Sequence, residues 1–329
     1  MSILVTGSSG HLGEALMRTL KARGREAVGL DRIAGAFTDP VGSIADRAFV
    51  RRCMKGARTV LHAATLHKPH VGTHPNEEFV DTNVRGALVL LEEAVAAGVE
   101  AFVFTSTTSA FGDALVPPPG EPAAWITEDV APIPKNIYGV TKRAAEDLCQ
   151  LFHRNESLAC VVLRTSRFFP EEDDNAAVRA AFAPDNAKMN EFLFRRVDIE
   201  DVVSAHLAAA ERAPSLGFGK YIVSATTPFT PGDLSLLRAD APAATFARAP
   251  EYAEAYARRG WRMFASVDRV YDNAKARRDL DWRPQWDFRR LVRQLGNNES
   301  LGSELARLVG SKGYHEEGFA EGPYPVAPG

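Results

Sequence analysis

Ile3-Leu4-Val5-Thr6-Gly7-Ser8-Ser9-Gly10-His11-Leu12-Gly13 decides how this chain is read. Three apolar residues make a core strand and a glycine turn ends it. Leu12, Leu16 and Leu20 then recur at helical spacing until Gly24. The glycines have separate jobs. Gly7 permits a tight turn, and Gly10 leaves room for a pyrophosphate to approach backbone N–H groups. Gly13 lets the helix pack closely on the strand. A strand before the triplet and a helix after it give the spacing its weight.

Outward from this turn, Ala27-Val28-Gly29-Leu30 reads as a second strand that ends in Asp31. A carboxylate on the order of 20 residues past the glycines accepts hydrogen bonds from adenosine ribose hydroxyls and repels a 2′-phosphate. NAD is therefore expected over NADP, with Arg32 a route to dual use; the bland alternative for Asp31 is a solvated strand end. Thr59–His62, Ala101–Thr105 and Ala159–Leu163 are further apolar runs. They alternate with helical segments at Val84–Ala97, closed by Gly98, and Ala144–His153. Short apolar runs between helices predict an α/β fold, a doubly wound parallel (Rossmann) sheet. The pattern loosens after residue 166, past which one helix (Asp198–Ala210) and one strand (Lys220–Ser224) are expected. The chain divides accordingly into an NAD-binding domain, 1–166, to which 195–226 returns, and a second, smaller α/β substrate lobe with a tail, 167–329. The Gly- and Pro-rich stretch Gly313–Gly329 is read as packed on its own domain or on a partner chain.

The 329 residues are 45% hydrophobic and 25% charged. Lys plus Arg number 39 against 42 for Asp plus Glu, a formal net charge of −3. That balance lacks the basic footprint of a general nucleic-acid binder. No apolar run approaches the roughly 20 residues of a membrane helix. Met1-Ser2 leads straight into the first strand without a secretory signal. Three cysteines, with no CxxC, argue against a disulfide scaffold or zinc knuckle and for the cytoplasm. His62, His67, His70 and His74 are half of the eight histidines, but no Cys or carboxylate is interleaved, so no metal is expected.

Tyr138-Gly139-Val140-Thr141-Lys142 places Tyr and Lys four apart, on one face at a helix start. A phenol has a pKa near about 10. A neighbouring ammonium and a cationic nicotinamide both favour the phenolate, so Tyr138 is expected to act as general base or, in reverse, as acid.

With these elements in place, the chain resembles the extended branch of the short-chain dehydrogenase/reductase superfamily, the NAD-dependent epimerases and dehydratases. The resemblance rests on Thr6–Gly13, Val60-Leu61-His62-Ala63-Ala64, Asn83-Val84-Arg85-Gly86, Thr105–Gly112, Tyr138–Lys142, Leu163-Arg164 and the late Asp272–Pro284 segment, all in family order. It implies NAD contacts at Gly7, Ser9, Gly10, His11, Leu12, Gly13, Asp31, Arg32, Ser43, Ile44, Ala63, Ala64, Thr65, Asn83, Thr105, Tyr138, Lys142 and Thr165. It also implies a catalytic triad of Thr107, Tyr138 and Lys142, with Thr108 and Ser109 one or two places from the Thr107 position. Substrate contacts are implied at His67, Thr107, Thr108, Arg167, Arg196 and Arg269. A homodimer is implied through Leu88, Leu91, Val95, Leu148 and Phe152.

Departures from the family narrow the chemistry. Thr108 and Ser109 stand where sugar dehydratases carry Asp-Glu, and no cysteine lies near Thr107. Oxidation, reduction or epimerisation at a carbinol remains. Arg167 replaces a family Asn, either as an anion anchor or paired with the acidic run Glu171–Asp174. The leading expectation is NAD-dependent oxidation or epimerisation of a secondary alcohol on a nucleotide-linked sugar. The alternatives are a dehydrogenase of a non-nucleotide alcohol, such as a sugar acid or hydroxysteroid-like ring, and a non-catalytic dinucleotide sensor.

Overall fold

A computed structural model describes residues 2–312; the expected packing of 313–329 lies outside the described residues. In the first part of the chain, strands β1 (Ser2–Thr6), β2 (Ala27–Leu30), β3 (Ala57–His62), β4 (Ala101–Thr107) and β5 (Ala124–Ile126) alternate with helices α1 (His11–Ala22), α2 (Arg47–Cys53), α3 (Asn76–Phe79), α4 (Gly86–Ala97) and α5 (Ile137–Glu156). Then follow β6 (Cys160–Thr165), α6 (Ala176–Ala181), α7 (Pro184–Glu191), α8 (Ile199–Leu216) and β7 (Phe218–Val223). The remainder holds α9 (Leu234–Ala239), α10 (Ala241–Arg248), α11 (Tyr252–Arg259), β8 (Arg269–Tyr271), α12 (Ala274–Asp279), α13 (Phe288–Gly296) and α14 (Glu304–Val309).

Six strands pair in parallel in the order β2-β1-β3-β4-β6-β7. The chain winds outward in one direction from β1 to β2 and in the other from β3 onward. The turn after β1 and the loop after β3 therefore diverge and open a crevice at the carboxyl edge of the sheet. Both faces of the sheet are covered. Leu12, Leu16 and Leu20 of α1 and Val202, Ala205 and Ala209 of α8 pack on Val5, Val103 and Val161. Leu90 and Ala94 of α4 and Ala145 and Cys149 of α5 pack on Leu4, Val60 and Phe102.

Two helix starts differ from the sequence reading. α5 begins at Ile137, seven residues before Ala144, because Asn136 caps it, its Oδ1 accepting from Gly139 N at 3.1 Å. Its first turns bury Tyr138, Thr141 and Lys142, polar residues that hide the apolar period. The segment before α4 is a π-helical turn, Val80–Arg85, which aims Asn83 inward. At such turns the helix widens to reposition one side chain.

Besides the return at 195–226, the chain crosses between the two sheets at further points. β5, from within 1–166, pairs in parallel with β8 in a separate two-stranded sheet. Around that sheet Met189, Leu193, Leu237, Tyr256, Phe288 and Leu291 form the core of the smaller lobe. β7 rejoins the large sheet beside β6, while Trp282 and Val309 of α14 return to the first core. Of the residues expected at a dimer surface, Leu91 is fully buried in its own core, and Val95, Leu148 and Phe152 pack against the same cluster. Leu88 is half-buried. The exposed apolar residues of α5 are Val140 and Leu151. No described helix is long and apolar enough to cross a membrane.

Candidate active site

At the head of α1 two of the three glycines are enforced by space. Gly7 has φ +77°, and a Cβ there would sit 2.7 Å from Ala64 N. A Cβ on Gly13 would lie 1.9 Å from the Gly7 carbonyl oxygen. Gly13 therefore packs against the backbone of the turn at Gly7 and Ser8, not on the crevice. Gly7, Ser9, Gly10, His11 and Leu12 line a cleft of about 770 Å³ at the switch point, together with Asp31, Arg32, Ile44, Ala63, Ala64 and Thr65. The Asp31 carboxylate is held at its rim, accepting from Ser9 N at 3.0 Å and Ile33 N at 3.1 Å. A bare backbone turn opening a helix, with a fixed carboxylate beyond it, fits the pyrophosphate and ribose of a dinucleotide.

Beneath the β3 loop, Thr6 Oγ1 meets His62 Nδ1 at 2.7 Å and accepts from Ala64 N at 3.2 Å. His62 is fully enclosed, and burial pushes its pKa down to about 3, so it is a neutral structural bridge. Asn83 does not line the cleft. Its Oδ1 accepts from Leu66 N at 2.9 Å and its Nδ2 donates to Thr141 Oγ1 at 3.0 Å, tying the loop to α5. Ser43 also lies off the cleft, where Gly42 and Ile44 line it instead.

Farther along the cleft stand Thr105, Thr107, Thr108, Tyr138, Lys142 and Thr165. The Thr107 hydroxyl lies near enough to the Tyr138 phenol to oppose the effect of burial on its pKa, and Thr107 Oγ1 accepts from Ser109 N at 3.0 Å. Burial pushes Tyr138 up to about 12. Burial also pushes Lys142 down to about 7, opposed by the Glu146 carboxylate. In this structure desolvation outweighs the expected preference for the phenolate. Lys142 also lies over the Phe104 ring, 4.5 Å from its centroid.

Glu146 was missed in the sequence, although Tyr138, Lys142 and Glu146 form one stripe at spacing four. It is fully buried, accepts from Ser106 Oγ at 2.6 Å, and is gripped by Arg164 Nη2 at 2.7 Å and Nε at 3.0 Å. Strands β4 and β6 thus fix the carboxylate one turn below Lys142.

The expected anion anchors need correction. Arg167 lines the cleft, but its Nη1 lies 3.0 Å from Asp173 and 3.5 Å from Glu191, and its Nη2 donates to Glu172 O at 2.7 Å. Arg196 does not line the cleft. It is buried on Glu191 at 2.7 Å and donates to Phe169 O at 2.8 Å. Arg195 shares the same two carboxylates. The three guanidinium groups share two carboxylates, Asp173 and Glu191, so their charge is partly neutralised before any ligand arrives. Arg269 does line the cleft; its Nη1 meets the adjacent Asp268, and its buried Nε has no partner among the described residues. His67 lines the cleft too, its ring 5.5 Å from Phe169 and 4.7 Å from His70. Phe168 and Phe169 of the wall were not foreseen. Two adjacent aromatics in an irregular segment carry no period to read.

The model of the NAD dependent epimerase/dehydratase family matches residues 3–222. A UDP-glucose 4-epimerase of Erwinia amylovora is 35% identical over 135 residues, covering 36% of this chain and 40% of that protein. Another from Rhizobium meliloti is 31% identical over 172 residues, half of each chain. Five curated relatives are each matched over 39–50% of their own length. Among solved structures, a short-chain dehydrogenase/reductase superfamily protein from Agrobacterium tumefaciens with bound NAD superposes with a TM-score of 0.63. It is 23% identical over 90% of this chain and 96% of that one.

Proposed function

Because the chain belongs to the NAD dependent epimerase/dehydratase family, we propose that it binds NAD in the switch-point cleft and oxidises a secondary alcohol of a sugar. The carbinol is then either released as the ketone or re-reduced on the other face. The observation that carries this reading is one continuous cleft joining the glycine turn and Asp31 to the Tyr138–Thr107 hydroxyl pair and Lys142. NAD supplies the hydride acceptor. Tyr138 takes the hydroxyl proton as the carbinol carbon gives up hydride, and returns it in the reverse step. Thr107 holds the substrate oxygen against the phenol. Lys142, backed by Glu146, supplies positive charge that lowers the cost of the phenolate. These groups favour an enzyme over a sensor, which has no use for a buried acid–base pair.

The relatives named as UDP-glucose 4-epimerases support a nucleotide sugar. A second reading, a compact sugar acid, is favoured by the cleft's far end. There Arg269 lines the cleft, its Nη1 on Asp268 and its buried Nε with no partner among the described residues, whereas Arg167 and Arg196 meet Asp173 and Glu191. A guanidinium at this end is the group that would recognise a carboxylate. The three described cysteines are free, and we place the enzyme in the cytoplasm as a homodimer.

Calorimetry with NAD and NADP tests the cofactor assignment. Asp31 predicts tighter NAD binding, and Asp31→Ala is expected to narrow the gap. Tighter NADP binding by the wild type overturns the assignment.

A further inference from the structure

The C-terminal end of the described chain reaches the cofactor end of the cleft. Ser303 caps α14 and pins it to the start of α8, donating to Asp198 Oδ1 at 2.6 Å. Leu305, Ala306 and Val309 then join the core that α1 shares. Three residues past α14, Lys312 lines the cleft with Gly10 and His11. Its ammonium pairs with Glu14 in the first turn of α1. One residue earlier, Ser311 donates to Glu171 at 2.6 Å.

Glu14 is the problem this arrangement solves. A carboxylate in the first turn suits the helix dipole, yet it also stands beside the backbone N–H groups that an anion needs. Arg18 meets it at 2.8 Å, but Arg18 faces the Phe37 ring, 5.1 Å away, and does not line the cleft. Lys312 is the cation on the ligand side. Next to it, His11 is buried with both ring nitrogens unpartnered among the described residues, stacked on Phe168 and Phe169. Burial holds His11 down to about 4, so it adds no charge at neutral pH. Around this end of the cleft stand the carboxylates Glu14 and Glu171 and the cations Arg18 and Lys312.

We propose that Lys312 is a dinucleotide-binding residue: its ammonium cancels Glu14 and gives the pyrophosphate of NAD a favourable field at the head of α1. The C-terminal segment is then a third part of the cofactor site, beside the glycine turn and Asp31. This rests on the NAD reading above.

The test measures dissociation constants of NAD and of adenosine, which lacks the pyrophosphate, for wild type, Lys312→Met and Lys312→Met/Glu14→Gln. Lys312→Met is expected to weaken NAD about tenfold, the scale of one charge-assisted contact, while adenosine is unchanged. Glu14→Gln in the same chain recovers most of the loss. Added salt shrinks the difference, because partly exposed charges are screened. NAD affinity within twofold of wild type in Lys312→Met overturns the proposal. So does an equal loss for adenosine, or no recovery with Glu14→Gln. If the wild type binds no NAD at all, the cofactor reading itself fails, a result distinct from unchanged affinity in the variant.

Discussion

Lys142 must carry charge where charge is disfavoured. Burial moves its pKa from 10.5 to about 7, and each unit is worth about 1.4 kcal/mol, so the buried ammonium costs the fold several kcal/mol. The folded pKa is the lower one, so the cost is full below about pH 7. It is relieved as pH rises toward the unfolded value, because the folded protein has released a proton the unfolded chain still holds. Lys142→Met is therefore expected to raise the melting temperature near pH 6, with a gain that shrinks near pH 10, while oxidation is lost. Melts of both proteins at the two pH values check this, and an equal or larger gain near pH 10 contradicts it. Tyr138, pushed up to about 12, is a phenol at neutral pH. The rate of carbinol oxidation is expected to rise with pH and the reverse reduction to fall, as steady-state profiles in both directions will show. The Tyr–Lys pair was legible from its spacing, but the direction of its pKa values was not. Burial depends on Phe104 and on strand neighbours that adjacency in sequence does not reveal.

Among elements, β1, the turn and α1 were read almost residue for residue, because Gly7 and Gly13 there answer a steric demand. Alanine ordinarily favours a helix over glycine by about 1 kcal/mol. Gly13→Ala is instead expected to destabilise by about 1–3 kcal/mol or more, since its Cβ meets the Gly7 carbonyl at 1.9 Å. Urea unfolding decides it, and a stabilised variant overturns the packing argument. The 167–175 segment was the least legible element. Its sequence showed an arginine and an acidic run, and both an anchor and an internal pair were consistent with that. The structure pairs Arg167 with Asp173 and Glu191, two groups drawn from different places in the chain. Arg167→Ala is expected to lose about 1–2 kcal/mol of stability with the Michaelis constant little changed. A large rise in that constant without loss of stability restores the anchor.

At the scale of the whole molecule, the alternation of strands and helices sufficed for a doubly wound sheet, because each crossover is a local event. The return crossings were harder. β5 pairs with β8 and α14 packs beside α1, contacts between residues far apart that no local period announces. The proposed homodimer places its contact on the face of α4 and α5. With Leu91 already buried, a homodimer through these helices must rest on Val140, Leu151 and their neighbours. Light scattering of Leu151→Lys is expected to show a shift toward monomer at micromolar concentration. Unchanged mass there places the contact elsewhere. Tyr138 is proposed to move the proton of a sugar carbinol in an NAD-dependent oxidation. The most direct test follows a panel of nucleotide sugars and sugar acids by proton NMR with NAD present, for wild type and Tyr138→Phe. One carbinol is expected to be converted to a ketone or to its epimer, about 10²–10⁴-fold more slowly in the variant. Conversion by Tyr138→Phe within twofold of wild type contradicts it.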